Sequence, residues 1–438
     1  MKHSNYTSRR QFLQTSTAAL AVSSLAALQT PRVHAAEGGP LKIGLIGCGG
    51  RGCGAVVHGM THDPNVELVA VSDLMKEKAE GGVAQLREKF KDRIKVTPET
   101  TFFGFDGYKS VIPLADVVFL CTPQHFRPVT LKAAIEAGKH CFCEKPIAVD
   151  ATGVRSVLAS AALAKEKGLN IVTGLINRYS PRVRDCMKRV QDGQIGDVVT
   201  ARAERMGGLW MRPRAEGENE MQYQMKNWVN FNWMASEYIN DVTVHQLDVS
   251  LWSMGDDVNP VSAFGLGGRI VRTGVDAGDM LDTMSVVFEY ADGRPLYAFS
   301  RCIPGCFGSA SAHINGTKGK AEIGNVGFGT VRILGQNPYE SAKEQNPDPY
   351  FVQHTRLYNA VRSGGKEYVN DLPYTAKATM TAILGRMAAY SGKRVTWEEA
   401  FNSTEDLSLP SYSWDAVPPI LPDENGKYPL ATPGQVGK

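Results

Sequence analysis

Short, nearly unbroken apolar runs punctuate the first third of the chain, and stretches of more mixed polarity separate them. Leu41–Ile46 and residues 66–71, 116–120 and 139–143 have strand length and are rich in Val, Ile, Leu and Phe. Such runs suit strands buried on both faces of a parallel sheet, with an intervening helix predicted over 128–137. They predict an α/β domain over residues 40–175 built on a doubly wound parallel sheet. From residue 177 the pattern changes to a helix through 191, then apolar runs at 197–205, 261–264, 283–290, 296–300 and 320–324. Without regular helices between them, these runs predict an α+β domain over 176–408 with a large, mainly antiparallel open sheet. Residues 355–363 and 374–391 space their apolar side chains as amphipathic helices, expected in the core and packing back on the first domain. Beyond Ser408 the chain is rich in Pro, Gly and Asp, which predicts an extended tail over 409–438 wrapping a neighbouring subunit.

Composition narrows the class. The chain has 438 residues, 43% hydrophobic and 21% charged, which fits folded domains and excludes a disordered chain. A net charge of +3 with no basic run gives no footprint for nucleic acid. At the N-terminus, Ser8-Arg9-Arg10-Gln11-Phe12-Leu13 precedes a modestly apolar stretch over 15–28 and the small-residue site Val33-His34-Ala35. This reads as a twin-arginine export signal over 1–36, so the Tat machinery is an expected partner and the periplasm the expected location. No later segment reaches the roughly 18 unbroken apolar residues of a membrane helix, so no stable membrane insertion is expected. Eight scattered cysteines lack zinc-site spacing, and no metal is predicted.

The first apolar run leads directly into Gly47-Cys48-Gly49-Gly50-Arg51-Gly52. In the G-x-G-x-x-G reading, Gly47 makes a tight turn, Gly49 lets the backbone approach a pyrophosphate, and Gly52 lets the next helix pack against the strand. Gly50 and Arg51 open that helix, whose N-terminus receives the anion. The second run ends at Asp73, about twenty residues past the fingerprint, where a carboxylate accepts hydrogen bonds from an adenosine ribose. The same carboxylate repels a 2′-phosphate, so NAD is expected rather than NADP. Ligands bind beyond the carboxyl ends of such strands, which places Cys121, Thr122, Pro123, Glu144 and Lys145 beside the nicotinamide. His125, close behind, is a further ionisable candidate there.

The fingerprint, the Thr122-Pro123 turn, Glu144-Lys145-Pro146 and Asp241-x-x-x-His245 together resemble the Gfo/Idh/MocA family of glucose-fructose oxidoreductase and inositol dehydrogenase. The resemblance implies a Rossmann domain, a second domain whose sheet closes the active site, and a homo-oligomer, dimer or tetramer, formed through that sheet. It also implies that Lys145 lies near the nicotinamide and the reacting hydroxyl, and that His245 is the acid/base. Oxidising a secondary alcohol requires such a proton acceptor as hydride leaves. Asp241 and His245, four residues apart, are expected on one helical face, with Asp248 beside His245 to orient it or bind a substrate hydroxyl. This chain has Val242-Thr243-Val244 where family members often carry a glycine.

Between residues 205 and 233 lie Trp210, Tyr223, Trp228, Phe231 and Trp233 with Arg205, Arg212, Arg214 and Lys226. Aromatic faces stack on sugar rings while cations reach hydroxyls, so Arg205, Trp210, Arg212, Arg214 and Trp228 are candidate carbohydrate contacts. Export adds that a nicotinamide cofactor must be loaded before transport and kept tightly bound. The leading expectation is an exported sugar or polyol oxidoreductase. The alternatives are a redox-neutral NAD-dependent glycoside hydrolase and a catalytically inactive dinucleotide-bound protein.

Overall fold

The computed structural model describes residues 39–208, 210–325, 328–342 and 347–435. The export signal expected over 1–36 lies outside the described residues. Six parallel strands, β1 (Leu41–Ile46), β2 (Val66–Asp73), β3 (Thr101–Phe103), β4 (Val117–Leu120), β5 (His140–Cys143) and β6 (Ile171–Thr173), form the first sheet in the order β3-β2-β1-β4-β5-β6. The connections include helices α1 (Gly50–Thr61), α2 (Lys76–Phe90), α3 (Gly107–Val111), α4 (Arg127–Glu136) and α5 (Ala151–Glu166). Every position of β4 and β5 is buried, because helices cover both faces and leave no side for polar residues. β1 pairs with β2 on one edge and β4 on the other, so the chain order reverses there and a crevice opens beyond Ile46 and Leu120.

After α6 (Pro181–Gln191) the second sheet begins with β7 (Val198–Met206). The helices α7 (Glu220–Lys226), α8 (Asn232–Ala235), α9 (Glu237–Asp241) and α10 (Val244–Met254) precede β8 (Ser262–Gly268), β9 (Thr283–Glu289) and β10 (Pro295–Arg301). Strands β11 (Ser309–Gly316), β12 (Gly319–Gly324), β13 (Val331–Gly335), β14 (Tyr339–Glu340) and β15 (Val395–Thr396) complete nine strands, ordered β14-β13-β12-β11-β7-β10-β9-β8-β15. Neighbours are antiparallel except β7 and β10. β9 and β10 alternate buried with half-buried positions, the mark of a sheet covered on one face. β11 escaped the sequence pattern because Ser-Ala-Ser-Ala-His-Ile-Asn-Gly carries little apolar content; pairing with β7 and β12 holds it.

One buried cluster runs through both halves, joining Val118, Leu131 and Val154 to Leu247, Phe288 and Ile383. Two late helices, α11 (Pro349–Arg362) and α12 (Leu372–Ser391), feed it differently. Leu357 and Tyr358 of α11 join the core around β1 and β2, whereas Ile383 and Leu384 of α12 pack within the shared cluster. After α13 (Trp397–Phe401) the described chain is extended, and it lies on its own protein. Leu407, Leu409, Trp414, Ala416, Ile420 and Tyr428 pack with Met221, Tyr223, Phe231 and Trp233. The tail expected on a neighbouring subunit is therefore an intramolecular strap: its alternating apolar side chains find a buried face within the same chain.

Candidate active site

The turn after β1 is shaped by contacts that leave no room for side chains. Gly47 has φ of +97°, and a Cβ there would lie 2.7 Å from the Cys121 carbonyl carbon. A Cβ on Gly52 would lie 1.9 Å from the Gly47 oxygen, so α1 approaches the turn only as glycine. Gly49, by contrast, faces open space, and α1 starts with no acidic side chain or cap bond at its N-terminus. Bare backbone and unsatisfied N–H groups are what a pyrophosphate requires. Asp73, at the end of β2, accepts from the Cys48 amide at 2.8 Å and the Met75 amide at 3.0 Å. Burial raises its carboxyl, these amide bonds oppose the shift, and each oxygen keeps a lone pair for a further donor.

A cleft of about 780 Å³ runs from this turn to the second domain. Gly47, Gly49, Gly50, Arg51, Gly52, Asp73, Cys121, Thr122, Pro123, Glu144 and Lys145 line it, as do Asp241, His245, Trp210, Arg212 and Trp228. Among the buried polar atoms without a hydrogen-bond partner are Arg51 Nη2, Thr122 Oγ1 and His245 Nδ1, all on lining residues. Orphans gathered at one cleft fit a polar ligand such as a dinucleotide.

Glu144 organises the end of the cleft beyond β5. Its Oε1 accepts from Arg51 Nε at 2.5 Å, and Arg51 also lies over the Tyr350 ring, 4.7 Å from its centroid. Burial alone would raise the Glu144 carboxyl, but Arg51, Arg127 and Lys145 outweigh it and bring it down to about 2. Arg127, buried, donates to the Thr122 carbonyl at 2.6 Å and to the Pro146 carbonyl, fastening the turns after β4 and β5 together. Lys145 Nζ donates to the Asp241 carbonyl at 2.5 Å. Burial lowers its ammonium pKa, with Asp241 and Glu144 resisting. His245 is pushed well below the ordinary imidazole value by burial and then by Lys145, so a neutral ring faces the cleft.

Several expected residues sit elsewhere. Asp241 and His245 do not share a helix: Asp241 ends α9 and His245 lies in the first turn of α10, with the chain breaking helix between them. Asp248 is 1% exposed and holds Arg178 through contacts of 2.9 to 3.2 Å, so it neither orients His245 nor reaches the cleft. Asp248 neighbours His245 along α10, but its carboxylate is already taken by the buried Arg178. His125 is 7% exposed, bonded to the Trp233 carbonyl at 2.9 Å and Tyr412 Oη at 2.7 Å, and so is a structural link rather than a cofactor contact. Arg214 turns to Glu220 and the Tyr428 hydroxyl, and Arg205, though not on the cleft wall, bonds Tyr238 and stands near enough for its charge to act on His245. Trp233 is core, donating from Nε1 to Gln224. Phe105, Arg127, Tyr350 and Tyr412 line the cleft without having been singled out in the sequence. Of these, Tyr412 had a signal in the alternation Tyr412, Trp414, Ala416. Among the described residues no cluster of His, Cys, Asp and Glu could hold a metal ion, and no helix is long and apolar enough to cross a membrane.

Comparison with known proteins agrees with this layout. Residues 41–175 match the family described as "Oxidoreductase family, NAD-binding Rossmann fold", and residues 183–322 match the "GFO/IDH/MocA C-terminal domain". The chain is 27% identical over 259 residues to inositol 2-dehydrogenase of Rhizobium meliloti, covering 58% of this chain and 66% of that protein. It is 30% identical over 214 residues to trans-1,2-dihydrobenzene-1,2-diol dehydrogenase of Mus musculus, covering 48% of this chain and 56% of that protein. In fold it resembles the aldose-aldose oxidoreductase of Caulobacter crescentus, with a TM-score of 0.63 and 19% identity over 82% of this chain and 99% of that one.

Proposed function

We propose, from the premise that this chain belongs to the Gfo/Idh/MocA family, that it is a nicotinamide-dependent oxidoreductase acting on a secondary hydroxyl of a sugar or polyol. One observation carries the reading: a bare-backbone turn fit for an anion and a carboxylate fit for a ribose share a cleft with a half-buried lysine and a neutral histidine. The relatives named for inositol, a dihydrodiol and aldoses support the substrate class.

When bound, the nicotinamide supplies the hydride acceptor. The backbone at Gly49 and Gly50 binds the pyrophosphate, and Asp73 binds the ribose diol, favouring NAD over NADP. Lys145, held by the Asp241 carbonyl, donates to the substrate hydroxyl and stabilises the developing alkoxide. His245, neutral with an unpartnered Nδ1, accepts the proton. Trp210, Arg212 and Trp228 form the wall against which the sugar ring packs. Arg9 and Arg10 support export of the folded protein to the periplasm with its cofactor tightly retained, and the open face of the second sheet supports assembly into a homo-oligomer.

The test is to denature freshly purified protein, identify the nucleotide released, and screen polyols and sugars for growth of the reduced-nicotinamide absorbance. NAD in the extract together with reduction by one sugar class is the expected result. Protein that neither carries nor binds NAD(H) or NADP(H) overturns the reading.

A further inference from the structure

Residues 403–435 have no helix or strand, yet they are bonded to both domains that flank the cleft. On the first domain, Arg155 donates to the Ser403 carbonyl at 3.1 Å, Thr152 to the Glu405 carbonyl at 3.0 Å, and the Leu407 amide to Asp150 at 2.8 Å. On the second domain, Asn219 donates to the Trp414 carbonyl at 2.9 Å and Gln224 to the Ile420 carbonyl at 2.8 Å. Between these anchors the chain presents Tyr412 to the cleft.

The hydrogen bonds around Tyr412 admit one consistent assignment. The Trp233 carbonyl can only accept, so His125 Nδ1 carries the proton and its Nε2 accepts from the Tyr412 hydroxyl. That hydroxyl in turn accepts from the Leu409 amide at 3.2 Å. A single directed chain therefore runs from the segment, through the turn after β4, to the insert that forms the far wall. The Tyr412 ring lies 5.9 Å from Phe105 and 5.6 Å from Phe126, and Trp414 lies 5.4 Å from Phe105. Phe105 lies two residues beyond Phe103 of β3, which pairs with Asp73. The aromatic group thus stands at the same end of the cleft as the ribose carboxylate.

We propose that residues 403–435 are a strap that completes the dinucleotide site, with Tyr412 walling the adenosine half of the cofactor and slowing its departure. The proposal rests on the reading that this cleft binds a dinucleotide. Tyr412 touches ligand in this arrangement, while His125 is a positioning residue that fixes its ring. The strap also gives retention a structural origin: release requires parting bonds on both domains rather than opening one loop.

The experiment uses the full-length protein loaded with NADH, with release followed by loss of bound-cofactor fluorescence after a chase of excess NAD. Tyr412→Ala releases NADH about tenfold faster, and Tyr412→Phe, which keeps the ring and loses the bond to His125, falls between it and the unaltered protein. Asn219→Ala, outside the cleft, speeds release by a smaller factor and serves if Tyr412→Ala does not fold. Fragment binding reads the location: Tyr412→Ala weakens ADP-ribose about tenfold and leaves nicotinamide mononucleotide unchanged, which a general loss of structure would not do. Unchanged release in all three variants overturns the strap while leaving the dinucleotide reading intact, and equal weakening of both fragments overturns the adenosine placement. Failure of every form to bind a dinucleotide overturns both this proposal and the function it rests on.

Discussion

The two walls of the cleft are built on different physics. On the first, residues 47–52 act through what they lack: the geometry is set by backbone against backbone, and a Cβ at Gly47 or Gly52 has nowhere to go. On the second, residues 210–235 act through side chains held by distant partners. Arg214 is held by Glu220 and Tyr428, Asn227 bonds the Asp276 carbonyl, and Asn230 bonds the Trp210 carbonyl and Arg272. A backbone wall tolerates almost no substitution but needs few residues. A side-chain wall spreads its restraint over many bonds and is reshaped one residue at a time.

That contrast can be broken most forcefully at Gly52. Gly52→Val drives a branched side chain into the Gly47 carbonyl and should cost several kcal/mol, on the order of 3 or more, with loss of dinucleotide binding. Thermal melting and NADH titration check this, and a variant that binds normally would show the turn is not set by close approach. Next, Lys145→Met should lower turnover by about 10²- to 10⁴-fold with little change in cofactor affinity, since its role is at the hydroxyl. A matched loss of NAD affinity and turnover would instead place it in the cofactor wall.

Asp248→Ala tests a residue that helical spacing puts beside His245 and the fold commits to an ion pair. Arg178 would keep only the more exposed Asp256, so denaturant unfolding should show about 3 kcal/mol of lost stability, with substrate KM unchanged. A raised KM with full stability would restore Asp248 to the substrate site. The smallest effect concerns pH. Burial holds the imidazoles of His125 and His140 down to about 4, whereas in the unfolded chain they titrate near 6.5. Between these values the unfolded state binds more protons, so their contribution to stability is full above about 6.5 and is lost as pH falls toward 4. Asp279, raised by burial to about 7, and Asp371, raised to about 6, act in the opposite sense as they protonate and offset part of that loss. A resonance assigned to His125 that titrates near 6.5 in the folded protein would contradict the bonding described above.

The legible parts of the sequence were those governed by short-range rules. Leu41–Ile46, the glycines after it and Asp73 could be read because strand, turn and carboxylate follow one another within a single unit. Asp248 could not, because helical spacing says which residues neighbour His245 but not that Arg178 waits on the other side. The split of Asp241 and His245 onto α9 and α10 was hidden for a related reason. Residues 242–243 carry no proline or glycine to announce a break. Tyr350 and Tyr412 reach the cleft from more than 200 residues beyond its first strand, a pairing that no local pattern contains.

The amino-acid order alone thus determined the parallel sheet and the glycine bend at the end of its first strand, because backbone sterics and strand burial are local constraints, whereas Lys145 and His245 were marked by the family resemblance. Tertiary structure decided which cations and aromatics line the cleft, which carboxylates are spent on internal ion pairs, and that the tail folds back across its own chain. Those choices depend on which partner each side chain meets across the fold, and that is a property of the assembled surfaces rather than of sequence spacing.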